Sequence, residues 1–146
     1  MSTIYINTDG GARGNPGPAG IGVVFFDKDG QELYKYKEYI GEATNNTAEY
    51  RAIIKALDLI TKSKWFLRCQ GNGEARIICR LDSQLVVEQL CGNYKVKNSN
   101  ILELVSEAKL LINKIQIPIE FIHIRREENK IADKLVNKAI DQHLKK

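Results

Sequence analysis

The sequence predicts a mixed α/β fold, one five-stranded sheet flanked by helices in the order β-β-β-α-β-α-α-β-α. Three observations carry that expectation. The first forty residues are short apolar-alternating runs broken by glycine, proline and aspartate, the pattern of strands joined by turns. Beyond them lie longer stretches in which apolar residues recur every three to four positions, the spacing of helices packed by one face. Two compact apolar runs, Ile77–Leu81 and Pro118–Ile124, separate these helical stretches and complete the sheet.

Taken in order, Thr3–Thr8 alternates Ile4 and Ile6 with polar or amphipathic neighbours and reads as a strand ending at Asp9. Gly10–Gly20 holds five glycines and two prolines, too broken for helix, so a glycine-rich turn is expected. Ile21–Phe26 is a second strand, Asp27-Lys28-Asp29-Gly30 a hairpin turn and Gln31–Ile40 a third strand, together an antiparallel meander. A loop over Gly41–Asn46 leads into a helix over Thr47–Lys62, with Asn45 or Asn46 available as its N-cap. Within Trp65–Arg76, Gln70-Gly71-Asn72-Gly73 reads as an exposed turn, while Trp65 and Phe66 anchor the segment to the core. Ile77–Leu81 is a buried, central, parallel strand ending at Asp82, and Ser83–Leu90 a short helix stopped by Gly92. Asn100 with Glu103 three residues on resembles a capping box, opening a helix whose Ile101, Leu104, Val105, Ala108, Ile112 and Ile115 form one stripe. Pro118–Ile124 is the last strand, and a helix from Glu127 to about His143 turns Ala132, Leu135, Val136 and Ala139 inward.

At 146 residues the chain has the size of one domain, expected to span 1–146. Its 43% apolar and 27% charged residues suit a globular protein, and no apolar run reaches membrane-spanning length. Met1-Ser2-Thr3 leads directly into Ile4-Tyr5-Ile6 without the basic and apolar segments of a signal peptide, so a cytoplasmic protein is expected. Cys69, Cys79 and Cys91 are odd in number and widely spaced, which argues against a disulfide framework and against a zinc site. The net charge of +4 is mildly basic, with Lys95/Lys97 and Arg125, Arg126, Lys130 and Lys134 as clusters. Such runs are either a footprint for a polyanion or a solvated surface.

Glu49 breaks the pattern of its helix. Ile53, Ala56 and Ile60 follow it four, seven and eleven residues later, so a carboxylate continues the stripe that should face inward. Burying it unpaired is costly enough that it would take up a proton or a cation, and other groups should face it. Asp9 and Asp82 end two expected strands, which share one sheet end if they are adjacent and parallel, and Asp133 lies early in the last helix. Alone, each has an ordinary reading: Asp82 as a helix N-cap, Asp133 as a first-turn residue favoured by the helix dipole, Asp9 as a turn former. Their joint occurrence at strand ends favours a site. Carboxylates without matching histidines or cysteines are oxygen-ligand chemistry, suited to Mg²⁺ or Mn²⁺.

Five segments now stand in order: Asp9-Gly10-Gly11 with Gly14-Asn15-Pro16-Gly17-Pro18-Ala19-Gly20; Thr44-Asn45-Asn46-Thr47-Ala48-Glu49-Tyr50; Asp82-Ser83-Gln84-Leu85-Val86; Gly92-Asn93-Tyr94-Lys95-Val96-Lys97; and Arg126-Glu127-Glu128-Asn129 leading to Ala132-Asp133. Nearly end to end, they resemble type 1 ribonuclease H in its handle-less bacterial and archaeal form. The resemblance implies a ribonuclease H-like fold and a monomeric endonuclease that cleaves the RNA strand of RNA/DNA hybrids. It implies two Mg²⁺ ions, with Mn²⁺ able to substitute, and 5′-phosphate and 3′-hydroxyl products. By position, Asp9 would bridge both ions, Glu49 and Asp82 would hold the ion nearer the leaving group, and Asp133 the ion that activates water. Asn15, Asn45 and Gln84 match minor-groove contacts, where 2′-hydroxyls distinguish RNA from DNA, and Thr44 matches a DNA-phosphate contact. Asn46 either joins them or caps its helix. Arg126 matches an arginine of the handle-less members that would bind phosphate or assist product release, the alternative being a surface charge. His123 precedes Asp133 by ten residues, where some members carry a mobile catalytic histidine, yet it lies inside a strand pattern and reads as structural. Junction resolvase or transposase cores lack the glycine-rich turn and the Asn-Asn-x-x-Glu pattern, and a silent hybrid-binding module would not need all four acids.

Many members carry a basic, tryptophan-containing handle between their second and third helices, whereas Gly92–Asn100 here leaves room for a short loop, in which Lys95 and Lys97 would be expected to replace part of the phosphate contact. The dependence of hybrid affinity on salt should therefore be shallower than for a handle-bearing member. Lys95→Ala and Lys97→Ala should each reduce the slope of log Kd against log salt by roughly one. A slope as steep as that of a handle-bearing enzyme would refute this reading.

Overall fold

The computed structural model describes residues 2–145. Its strands are β1 (Thr3–Ala12), β2 (Gly17–Phe26), β3 (Glu32–Ala43), β4 (Arg76–Leu81) and β5 (Ile119–His123). They form one sheet in the order β3-β2-β1-β4-β5. β1, β2 and β3 are the expected antiparallel meander. β4 lies parallel to β1, and β5 parallel to β4, so the strands that carry Asp9 and precede Asp82 are neighbours pointing the same way.

Among the described residues five α-helices accompany the sheet: α1 (Asn45–Thr61), α2 (Lys64–Arg68), α3 (Gln84–Leu90), α4 (Ser99–Ile115) and α5 (Lys130–Leu144). On one face Ile4, Ile6, Ile77, Cys79 and Leu81 of the sheet meet Ile53, Ala56, Leu57 and Ile60 of α1, with Ile101 and Val105 of α4 in the same core. On the other face Val24 and Phe26 pack against Ala132 of α5. The inward stripe anticipated for the first helix is present, Glu49 included.

Glycines explain the largest departure from expectation. Residues 10–20 are not one turn: β1 runs on through Ala12, β2 begins at Gly17, and only 13–16 lie between them. Composition suggested chain reversal because glycine permits it. Here glycine instead lets a helix approach a strand. A Cβ on Gly10 would fall on the Ala48 carbonyl and within 2.6 Å of the Glu49 nitrogen, and one on Gly22 would strike the Ala132 carbonyl and come within 2.8 Å of Leu135 Cβ.

Helix starts also differ from the expected ones. Thr44, and neither Asn45 nor Asn46, caps α1, its Oγ1 accepting from the Thr47 N–H at 3.2 Å. Asn98 caps α4 by accepting from the N–H groups of Asn100 and Ile101, so Asn100 and Glu103 form no capping box. In both cases the cap is the last extended residue, one or two positions upstream of the first asparagine suggested by the sequence. The anticipated helix from Glu127 divides into a 3-10 turn, Arg126–Glu128, and α5. Ser63 opens the unanticipated α2 by accepting from the Phe66 N–H, and Trp65 is buried as the anchor of a segment whose Gln70–Gly73 stretch is exposed.

Gly10→Ala should lower stability by about 1–3 kcal/mol or more, because the intruding methyl meets backbone and not a side chain that can rotate away. Urea unfolding measures this; an unchanged midpoint would show that α1 can move off β1 freely.

Candidate active site

Parallel pairing of β1 with β4 sets the site. Thr8 lies opposite Leu81, so the residues that follow lie side by side: Asp82 just past the end of β4, and Asp9 within β1, which does not end there as expected but continues to Ala12 beside β2. From α1, pressed against Gly10, Glu49 reaches the same point. The Gly10 N–H donates to Glu49 Oε1 at 2.6 Å. Ligand oxygens of Asp9, Glu49 and Asp82 all lie within 4.8 Å of one another. Asp133, in the first turn of α5, lines the same cleft of about 360 Å³ but stands outside that close trio. The four acids expected from the sequence thus share one cleft, three of them closely.

Burial makes the cluster unstable as a set of bare charges. Asp9 and Glu49 are 8% and 7% exposed, while Asp82 and Asp133 are half-buried. Desolvation, followed by the charge of Glu49, pushes Asp9 up to about 10. Desolvation also raises Glu49, to about 7, against the opposing effects of its hydrogen bonds to Asp9 and the Gly10 N–H and of the Arg126 charge. Without a cation the trio retains a proton. An all-oxygen, partly dehydrated donor set of this kind can hold a hard divalent cation, which takes the proton's place and relieves the repulsion.

Around the acids, Asn45, Asn46 and Arg126 line the cleft. Asn15 and Asn45 brace each other: Asn15 Oδ1 accepts from the Asn45 N–H at 3.0 Å, and Asn45 Oδ1 from the Ala12 N–H at 2.9 Å. Asn15 itself, Thr44, Gln84, Lys95 and Lys97 are exposed and do not line the cleft. His123 is the exposed last residue of β5, opposite Leu81.

Two further residues, to which the sequence assigns no role of their own, support the site. Arg13 lines it while pairing with Asp141 at 2.6 Å and donating to Asn137 Oδ1 at 3.3 Å, which ties the β1–β2 hairpin to α5. Asn129 is 1% exposed, and its Nδ2 donates to the Thr8 carbonyl at 2.9 Å and to Asp82 Oδ2 at 3.3 Å. An asparagine just before a helix resembles a cap, yet this side chain does not cap α5.

A family profile described as reverse transcriptase-like matches residues 7–139. The chain is 42% identical over 139 residues to the bifunctional protein Rv2228c of Mycobacterium tuberculosis; the match covers 94% of this chain and 35% of that protein, so the chain spans about a third of the relative's length. Among solved structures, LC11-RNase H1, isolated from compost by a metagenomic approach, superposes with a TM-score of 0.89 at 44% identity, covering 99% of both chains. The same protein in complex with an RNA/DNA hybrid gives a TM-score of 0.85 at 43% identity, covering 97% of this chain and 99% of that one.

The raised pKa values fix how stability responds to pH. Folded Asp9 and Glu49 hold protons that the unfolded chain releases near its ordinary carboxylate values, so their contribution is full below about pH 4 and is lost as pH rises through about 7 and then about 10. In a chelator, the urea midpoint should fall between about pH 5 and pH 9, and Asp9→Asn should flatten that fall and raise stability at pH 8. Parallel pH profiles for the two proteins would show that Asp9 does not carry the strain.

Proposed function

The chain belongs to the type 1 ribonuclease H family, and from that premise we propose that it is an endonuclease hydrolysing the RNA strand of RNA/DNA hybrids. The observation that carries the proposal is the trio of buried Asp9, buried Glu49 and half-buried Asp82, with ligand oxygens within 4.8 Å, where the end of β4 lies beside Asp9 of β1. These three would hold one Mg²⁺, and Asp9 with Asp133 a second, Mn²⁺ being an acceptable substitute. Bound there, the ions supply activation of water and charge compensation on the leaving oxygen, giving 5′-phosphate and 3′-hydroxyl ends.

The chain's own groups supply the rest. The Gly10 N–H fixes the Glu49 carboxylate, and Arg126 brings a cation to the cleft edge for a phosphate. With the Oδ1 atoms of Asn15 and Asn45 held by backbone N–H groups, their Nδ2 groups are left to donate to minor-groove acceptors and 2′-hydroxyls. Gln84 and Asn46 join them at the minor groove, and Thr44, Lys95 and Lys97 extend the track to the phosphates. A single domain over 1–146, monomeric and cytoplasmic, completes the proposal; among the described residues no helix is long and apolar enough to cross a membrane.

A hybrid labelled on its RNA strand should be cut with Mg²⁺ and spared with chelator. Glu49→Gln and Asp9→Asn should each lower the rate on the order of a thousandfold, several kcal/mol of transition-state stabilisation, while leaving the fold intact or firmer. Undiminished cutting by Asp9→Asn would overturn the assignment.

A further inference from the structure

Asn129 sits in the joint between the 3-10 turn Arg126–Glu128 and α5, buried and turned away from the helix it precedes. Its Nδ2 donates to two acceptors, the Thr8 carbonyl at 2.9 Å and the Asp82 carboxylate at 3.3 Å. Its carbonyl accepts from the Asp133 N–H at 3.1 Å, and its own N–H donates to the Arg126 carbonyl at 3.0 Å. One residue therefore touches Asp82 directly, the backbone just before Asp9, and the backbone of Asp133 and Arg126.

Few side chains could fill this place. Two converging acceptors, one of them charged, require two donor hydrogens on one atom, which an amide provides and a hydroxyl does not. An ammonium would provide them too, but would compete with a cation for the Asp82 charge. Meanwhile Asn129 Oδ1 is buried without a hydrogen-bond partner among the described residues, an arrangement that costs about 1–3 kcal/mol. Stability alone does not account for an amide with one end unsatisfied. The end facing Asp82 does.

We propose that Asn129 is a positioning residue of the acidic site: its Nδ2 holds the Asp82 carboxylate in the trio, and its main chain sets the point from which α5 presents Asp133. It touches neither substrate nor reacting atoms and acts through these two acids. The inference rests on the reading of the trio as a divalent-cation site.

The test uses the full chain and Mn²⁺ as the probe. Asn129→Ala removes the donor, and Asn129→Leu removes it while keeping the bulk and eliminating the unsatisfied oxygen, which favours a folded variant. Calorimetric titration of Mn²⁺ into the protein without nucleic acid should show affinity reduced roughly tenfold or more in both, the range seen when a group that orients a metal ligand is removed. The Mg²⁺ concentration for half-maximal hybrid cleavage should rise by a similar factor, with KM for the hybrid unchanged. In an Asp82→Asn background, Asn129→Leu should cause no further loss of Mn²⁺ affinity. A folded variant that binds Mn²⁺ within twofold of the parent overturns the proposal, and so does an effect confined to the melting temperature or to KM. If the parent binds Mn²⁺ but leaves hybrids uncut, the nuclease reading fails while the calorimetric comparison still decides the role of Asn129.

Discussion

The approach of β1 to α1 at Gly10 is the constraint on which the site depends. No side chain fits between this strand and the Ala48–Glu49 backbone, and the short gap lets a main-chain N–H hold the Glu49 carboxylate. Once Glu49 is there, it lies against Asp9 in a place that water barely reaches, and the two cannot both stay ionised without a counter-charge. Packing thereby creates the electrostatics. Glycine weakens a strand interior, so its use at this point reflects the demand for proximity over the demand for strand stability.

A second close approach works from the opposite face. α5 rests on β2 where Gly22 leaves room for the Ala132 carbonyl, and the next residue along the helix is Asp133. Arg13 reinforces the placement by binding Asp141 and Asn137, two further residues of α5. The sheet end is thus gripped from both sides, and the acids delivered by the two helices meet those emerging from the two strands. Asn129 joins the arrangement from within, since it bonds to a strand backbone, a strand-end acid and the helix start.

Much of this was legible in the residues, and what was not has a physical cause. The carboxylate in an apolar stripe identified Glu49 because helix periodicity is strong over seventeen residues, and the apolar run before Asp82 identified a parallel strand, buried on the face that carries Ile77, Cys79 and Leu81. The stretch after Asp9 was misread because glycine has two uses, reversal and close packing, and composition does not separate them. Caps shifted by one or two positions because Thr44, Asn45 and Asn46 are all competent and only the backbone dihedrals choose among them. α2 is five residues long, below the length at which periodicity carries information. Asn129 stands in a motif segment, but its role is not legible there because its partners lie 121 and 47 residues away in the chain.

The mutual bracing of Asn15 and Asn45 has a consequence for recognition. Each holds the other's segment by a bond to backbone, so the hairpin tip and the first turn of α1 are tied together without a ligand. Immobilising a polar side chain on binding costs about 0.5–1.5 kcal/mol, and here folding has already met that cost. On the proposed function, a nucleic acid entering the cleft would meet segments already joined, and selection between sugars would rest on steric and donor fit at Asn15 and Asn45.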